Sequence, residues 1–100
     1  MRKEKAYRVE KKALIDLISR ITKEVEGVYS IKRGFFGKDI KIKEEQEGMQ
    51  ISLGLIAKKE VSIPTLVETV QRRLREEMEK TLGSPVRKIN ITIKGIKFSS

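Results

Sequence analysis

The side chains that could do chemistry in this chain are carboxylates, hydroxyls and amines, because it has no histidine and no cysteine. Serine needs a neighbouring base to become a nucleophile, and Ser30, Ser52, Ser62 and Ser84 have no imidazole to supply one. Disulfides and thiolate metal sites are excluded along with the cysteines. Asp16, Asp39 and the glutamates are scattered or sit beside basic residues, so no pair stands out as an acid and its base. Lysine chemistry is conceivable, but nothing in the pattern marks one lysine as buried. The expectation is a non-enzymatic protein with no catalytic residue, no metal, no cofactor and no small-molecule substrate.

One short motif invites a binding role. Gly34-Phe35-Phe36-Gly37 lies between Lys32, Arg33 and Lys38. Its spacing matches the GXXG loop with which KH domains clamp a nucleic-acid backbone. That loop joins two helices, whereas here the strand pattern Asp39-Ile40-Lys41-Ile42 follows it. The favoured reading is a flexible loop with two partly exposed phenylalanines; if the rings are exposed together, Phe35, Phe36, Arg33 and Lys38 are the candidate residues for docking a partner.

The net charge of +9 is unevenly placed. Residues 1–12, 28–43 and 86–100 each carry a net +4, and the blocks between them each carry −1. Such a distribution attracts anionic partners over distance. Arg2, Lys3, Lys5, Arg8, Lys11, Lys12, Arg87 and Lys88 are the candidate contacts to an anionic surface, whether lipid headgroup, nucleic acid or acidic protein. On the second helix, Arg72, Arg73 and Arg75 have glutamates one turn away, which predicts a self-neutralised face. Thirteen isoleucines, one asparagine and abundant Lys and Glu give a thermophile-like composition. No apolar run reaches the roughly 20 residues that cross a bilayer, and the basic start Met1-Arg2-Lys3-Glu4-Lys5 is not followed by the apolar stretch of a secretory signal. A cytoplasmic protein is expected.

The elements that must position these residues follow from periodicity. One hundred residues make one domain, 1–100, with a basic N-terminal segment 1–8. Residues 7–9 read as a short strand. Leu14, Leu17, Ile18, Ile21 and Val25 form one helical stripe, and Gly27 is a natural stop. Val28 to Ile31 reads as a strand. Ile40 and Ile42 alternate with Lys41 and Lys43, and Met49, Ile51, Leu53 and Leu55 alternate with Gln50, Ser52 and Gly54, which predicts an antiparallel hairpin turning at Glu47-Gly48. A second helix starts near Ser62, with Pro64 in its first turn and Ile63, Val67, Val70, Leu74 and Met78 facing one way. It ends at Gly83-Ser84-Pro85, and Ile89, Ile91 and Ile93 alternate in a last strand. The order β-α-β-β-β-α-β predicts an α+β two-layer sandwich: one mixed or antiparallel sheet with both helices on one face. Lys41, Lys43, Gln50, Ser52, Asn90, Thr92 and Lys94 then share the open face, which carries no aromatic rings for stacking bases.

At Glu24-Val25-Glu26-Gly27-Val28 the chain resembles the alkaline shock protein family, the general stress proteins of bacterial cell envelopes. The resemblance continues through Ile63-Pro64, Val70-Gln71, Thr81-Leu82-Gly83 and the aliphatic alternation from Val86 to Ile96 with Asn90 in its middle, and so covers residues 9–98. Two places depart from the family pattern: Leu82 intervenes in the usual Thr-Gly at the second helix end, and Lys58-Lys59-Glu60 replaces the tyrosine-glycine that precedes the Ile-Pro helix start. The resemblance implies a cytoplasmic, non-enzymatic adaptor or scaffold that either associates with the inner side of the membrane through a membrane-anchored protein partner or supports envelope and lipid homeostasis. It names no catalytic residue. A basic nucleic-acid-binding module is the alternative, weak contact with anionic lipid through the N-terminal residues is a further one, and self-association into a homo-oligomer is left open.

Overall fold

The computed structural model describes residues 10–98. Within them the chain forms helix α1 (Lys11–Lys23), strands β1 (Val28–Ile31), β2 (Arg33–Gly34), β3 (Gly37–Lys38), β4 (Ile40–Glu45) and β5 (Gly48–Lys58), helix α2 (Ile63–Leu82) and strand β6 (Val86–Lys97). The strand expected over residues 7–9 lies outside the described residues, as do Arg2, Lys3, Lys5 and Arg8.

Strand β5 is the axis of the sheet. Along one edge β4 runs antiparallel to it, from Ile40 opposite Leu53 to Glu45 opposite Gly48. On the same edge β1 takes over, with Val28 opposite Ala57 and Ile31 opposite Leu55. Along the other edge β6 runs parallel to β5, from Met49 opposite Val86 to Lys58 opposite Lys97. The sheet is therefore mixed. Parallel neighbours need a crossover connection, and α2 supplies it.

Alternation along β5 explains why the sheet is one-sided. Met49, Ile51, Leu53, Leu55 and Ala57 are buried beneath the helices. They meet Leu14, Ile18 and Ile21 of α1 and Leu66, Val70, Leu74 and Met78 of α2 in one continuous core. The two-layer α+β sandwich with both helices on one face is the observed architecture. The buried stripe of α2 contains Leu66 where the spacing pointed to Val67. Leu66, Val70, Leu74 and Met78 form a regular i, i+4 row, and that row, not the one through Val67, faces the sheet.

The helix ends show what the local sequence does. Ser62 caps α2, its Oγ accepting from the Thr65 N–H at 3.4 Å, with Pro64 in the first turn. Gly83 closes α2 in the left-handed region at φ 68°, where glycine carries no Cβ penalty. Helix α1 stops at Lys23, before Gly27. Val25 stays buried in the turn that follows, and Gly27 turns the chain into β1 at φ 103°.

Helix α2 also secures the start of β6. Gln71 Nε2 donates to the Ile89 carbonyl at 3.0 Å, Arg75 Nε donates to the Val86 carbonyl at 3.3 Å, and the Val86 N–H donates to Glu79 Oε2 at 2.8 Å. These three residues, four apart on one helix face, take up backbone groups of a strand that has β5 on one side and, among the described residues, no strand on the other. Arg73, expected to be neutralised within its own helix, reaches across to Glu24 at 3.2 Å.

Candidate functional site

The open face of the sheet follows from the same alternation. Gln50, Ser52, Gly54, Ile56 and Lys58 of β5 point away from the helices, and register carries the assignment to the neighbours. Lys41 lies opposite Ser52 and Lys43 opposite Gln50. Lys88 lies opposite Gln50, Asn90 opposite Ser52 and Thr92 opposite Gly54. Asn90 Nδ2 donates to Ser52 Oγ at 3.3 Å across this face. Every residue expected to share the open face from its period of two is there.

Its charge is graded. At the β4–β5 turn, Glu45 collects Lys43 at 3.7 Å, Arg87 at 3.4 Å and the Gln50 amide at 2.9 Å. Arg87 is held a second time by Glu47 at 3.4 Å. Arg87 was a candidate contact for an anionic surface, but a phosphate would have to displace two carboxylates to reach it. Beyond this corner the face is dominated by Lys41, Lys58, Lys88, Lys94 and Lys97, and Asp39 is the acid placed among them. Lys97 Nζ stands 5.7 Å from the centroid of the Tyr29 ring, a cation–π contact across the end of β5, where β1 flanks one edge and β6 the other.

The centre of the face is held together over a glycine. Lys94 Nζ lies 3.7 Å from Asp39 Oδ2, and the pair crosses directly above Gly54. A Cβ at Gly54 would sit 2.5 Å from that Asp39 oxygen and 2.9 Å from Lys94 Cγ. Bare backbone at position 54 is what lets Asp39, the residue before β4, and Lys94 of β6 form an ion pair across the strand between them.

Gly54 also anchors a projection. Its carbonyl accepts from the Lys32 N–H at 2.9 Å, its N–H donates to the Asp39 carbonyl at 3.0 Å, and the Asp39 N–H donates to the Lys32 carbonyl at 2.8 Å. The residues between leave the sheet as a finger, with Arg33 opposite Lys38 and Gly34 opposite Gly37. The GXXG motif thus forms a strand-to-strand tip, not a link between two helices. Phe35 and Phe36 occupy the tip, each 96% exposed. They meet edge to face with centroids 5.0 Å apart. Gly37, at φ 113°, takes the positive dihedral of the turn, so both phenylalanines keep ordinary negative φ.

The structure brings together Arg33, Phe35, Phe36 and Lys38, the expected docking group. It separates the expected anionic-surface group. Lys11 and Lys12 begin α1 in the helical layer, whereas Lys88 is on the sheet's opposite face. Sequence reasoning missed Lys58, Lys97 and Tyr29 as members of the open face. Carrying the alternation of β5 through Ile56 to Lys58 would have found the first. Lys97 and Tyr29 lie past register shifts in β6 and β1, where a period of two no longer tells which way a side chain points.

Among the described residues, no group of three or more carboxylates is arranged to hold a metal ion, and no helix is long and apolar enough to cross a membrane.

Comparison with known proteins gives a family and a fold. The model of the alkaline shock protein 23 family, a family of cell envelope-related function, matches residues 2–98. No curated protein sequence matches the chain. Among solved structures, a MamM CTD variant in its manganese form superposes with a TM-score of 0.66 at 10% identity, covering 86% of this chain and 99% of that one. A second MamM CTD variant gives 0.64 at 11% identity, covering 84% and 95%. A third gives 0.65 at 10% identity, covering 91% and 100%. At these identities the likeness is one of fold.

Proposed function

Because the chain belongs to the alkaline shock protein 23 family, whose function is cell envelope-related, we propose that it is a non-enzymatic adaptor that works by protein–protein contact at the cytoplasmic face of the membrane. The observation that carries this reading is the one-sidedness of the sheet. One face is closed by two helices into a core. The other is a broad cationic surface spread over β4, β5 and β6 and braced by the Asp39–Lys94 pair. An acidic protein surface is its natural complement, since complementary potentials speed encounter and exclude wrong partners. The resemblance to envelope stress proteins supports a role in stress or homeostasis of that compartment.

Covalent cross-linking in cells tests the proposal. The wild-type chain is expected to capture a polypeptide of the envelope fraction. A Lys41→Glu/Lys43→Glu/Lys88→Glu variant, which reverses exposed charge without touching the core, is expected to lose it while keeping its melting temperature. Recovery of nucleic acid alone, released steeply by salt as counterion-driven binding requires, would replace the adaptor reading with the nucleic-acid one.

A further inference from the structure

The finger at residues 32–39 has a composition ordered along its axis. Its tip is two phenyl rings that touch each other and are otherwise almost wholly exposed. One rung behind the tip are two glycines, and behind those the side chains are cationic: Arg33 and Lys38 facing each other, then Lys32. The acid of the stem, Asp39, is turned onto the sheet and held by Lys94. At about 3.3 Å per residue, Arg33 and Lys38 stand roughly 7 Å behind the rings. A bilayer leaflet bearing anionic lipid presents the complementary order, an apolar interior behind a layer of phosphates, and interfacial apolar groups bury about 5–10 Å into it.

We propose that this finger inserts Phe35 and Phe36 into the headgroup–acyl boundary of a bilayer containing anionic phospholipid, with Lys32, Arg33 and Lys38 against the phosphates. Exposed aromatic pairs mark interaction sites because they are costly to leave in water. A convex, two-ring tip fits a deformable surface, and the cations behind it fit a plane of negative charge at fixed depth. Long basic side chains reach such a plane while their methylenes stay against the apolar layer. The tight ladder holds the tip out from the sheet, and Gly37 absorbs the turn, so the rings are presented without rearrangement of the fold. This contact lies beyond the adaptor reading and uses a different surface from it.

Sedimentation of the full chain with vesicles tests the proposal. With equal parts of phosphatidylglycerol and phosphatidylcholine the wild-type chain is expected to partition onto the vesicles, and with phosphatidylcholine alone much more weakly. Phe35→Ser/Phe36→Ser is expected to lower partition more than about tenfold, since each ring buries a large apolar area. Arg33→Gln/Lys38→Gln is expected to lower it about fivefold for each charge removed. In Phe36→Trp, tryptophan emission should move to shorter wavelength on phosphatidylglycerol vesicles and be quenched by brominated acyl chains. Absence of wild-type binding would overturn the proposal. So would binding by the double serine variant within about twofold of wild type, or a bound but unquenched tryptophan. The last two results would show that the chain reaches the vesicle through another surface. The vesicle experiment contains no protein partner, so its failure leaves the adaptor reading standing, and a cross-linking experiment in which the wild-type chain captures no envelope polypeptide leaves the lipid contact standing.

Discussion

The chain builds two antiparallel hairpins from neighbouring residues, and they are held in different ways. The β4–β5 hairpin has six paired positions and lays Ile40, Met49, Ile51 and Leu53 into the core. The β2–β3 finger has two paired positions and buries none of its side chains. Isolated two-stranded hairpins are marginal in water. The finger persists because Lys32 and Asp39 at its base are tied to each other and to Gly54 in the middle of the sheet. One hairpin is structure that also offers a surface, and the other is a surface lent its structure by the sheet. Substitutions should therefore separate: those in the first cost stability, and those at the tip of the second cost only what the tip touches.

The sharpest break of this contrast is Leu55→Ala, on the same strand two positions beyond its last pairing with β4 and fully buried. Removing a core leucine side chain should cost about 2–5 kcal/mol by denaturant unfolding. Gly54→Ala comes next. The added methyl must push aside both Asp39 and Lys94, so a loss of about 1–2 kcal/mol is expected, together with loosening of the finger base, read as faster amide exchange at Asp39. Ser62→Ala removes the cap of α2 and should cost about 1 kcal/mol, also by unfolding. At the small end, Phe35→Ser/Phe36→Ser should shift stability by less than about 0.5 kcal/mol, because rings exposed at 96% have almost no folded-state contacts to lose. A large destabilisation from that last variant would show that the tip packs against something in the folded chain and would erase the contrast.

The two hairpins also differ in how far the sequence disclosed them. Ile40 and Ile42 alternating with lysines, and Met49 to Leu55 alternating with Gln50, Ser52 and Gly54, announce β4 and β5, although the turn between them falls at Gln46-Glu47, one residue before the expected Glu47-Gly48. The same alternation assigns Lys41, Lys43 and Ser52 to the open face, and that of β6 assigns Asn90. Two-residue strands have no period to detect, so Gly34 to Gly37 reads only as a loop, and its flanking cations and rings suggest docking without showing a stem. Helix α2 is legible at its ends, where Ser62, Pro64 and Gly83 act locally. Its buried row is less so, because Leu66 and Val67 are adjacent apolar residues and only the sheet decides between them. The place of β6 is not written locally at all. Its parallel pairing with β5 is set by how α2 seats on the core, and ties such as Glu24 to Arg73 and Asp39 to Lys94 join residues that are neighbours only after folding.

The pairing of β6 along nearly the whole of β5 bears on how the protein is made. Until residues 86–97 have left the ribosome, the central strand has one bare edge and an incomplete apolar face. Strand pairing of such sequence separation is slow, and exposed edges in the interval invite misassociation. The nascent chain thus carries its least protected surface from the completion of β5 until β6 follows it, and a product truncated before residue 86 would have no strand with which to seal that edge of its sheet.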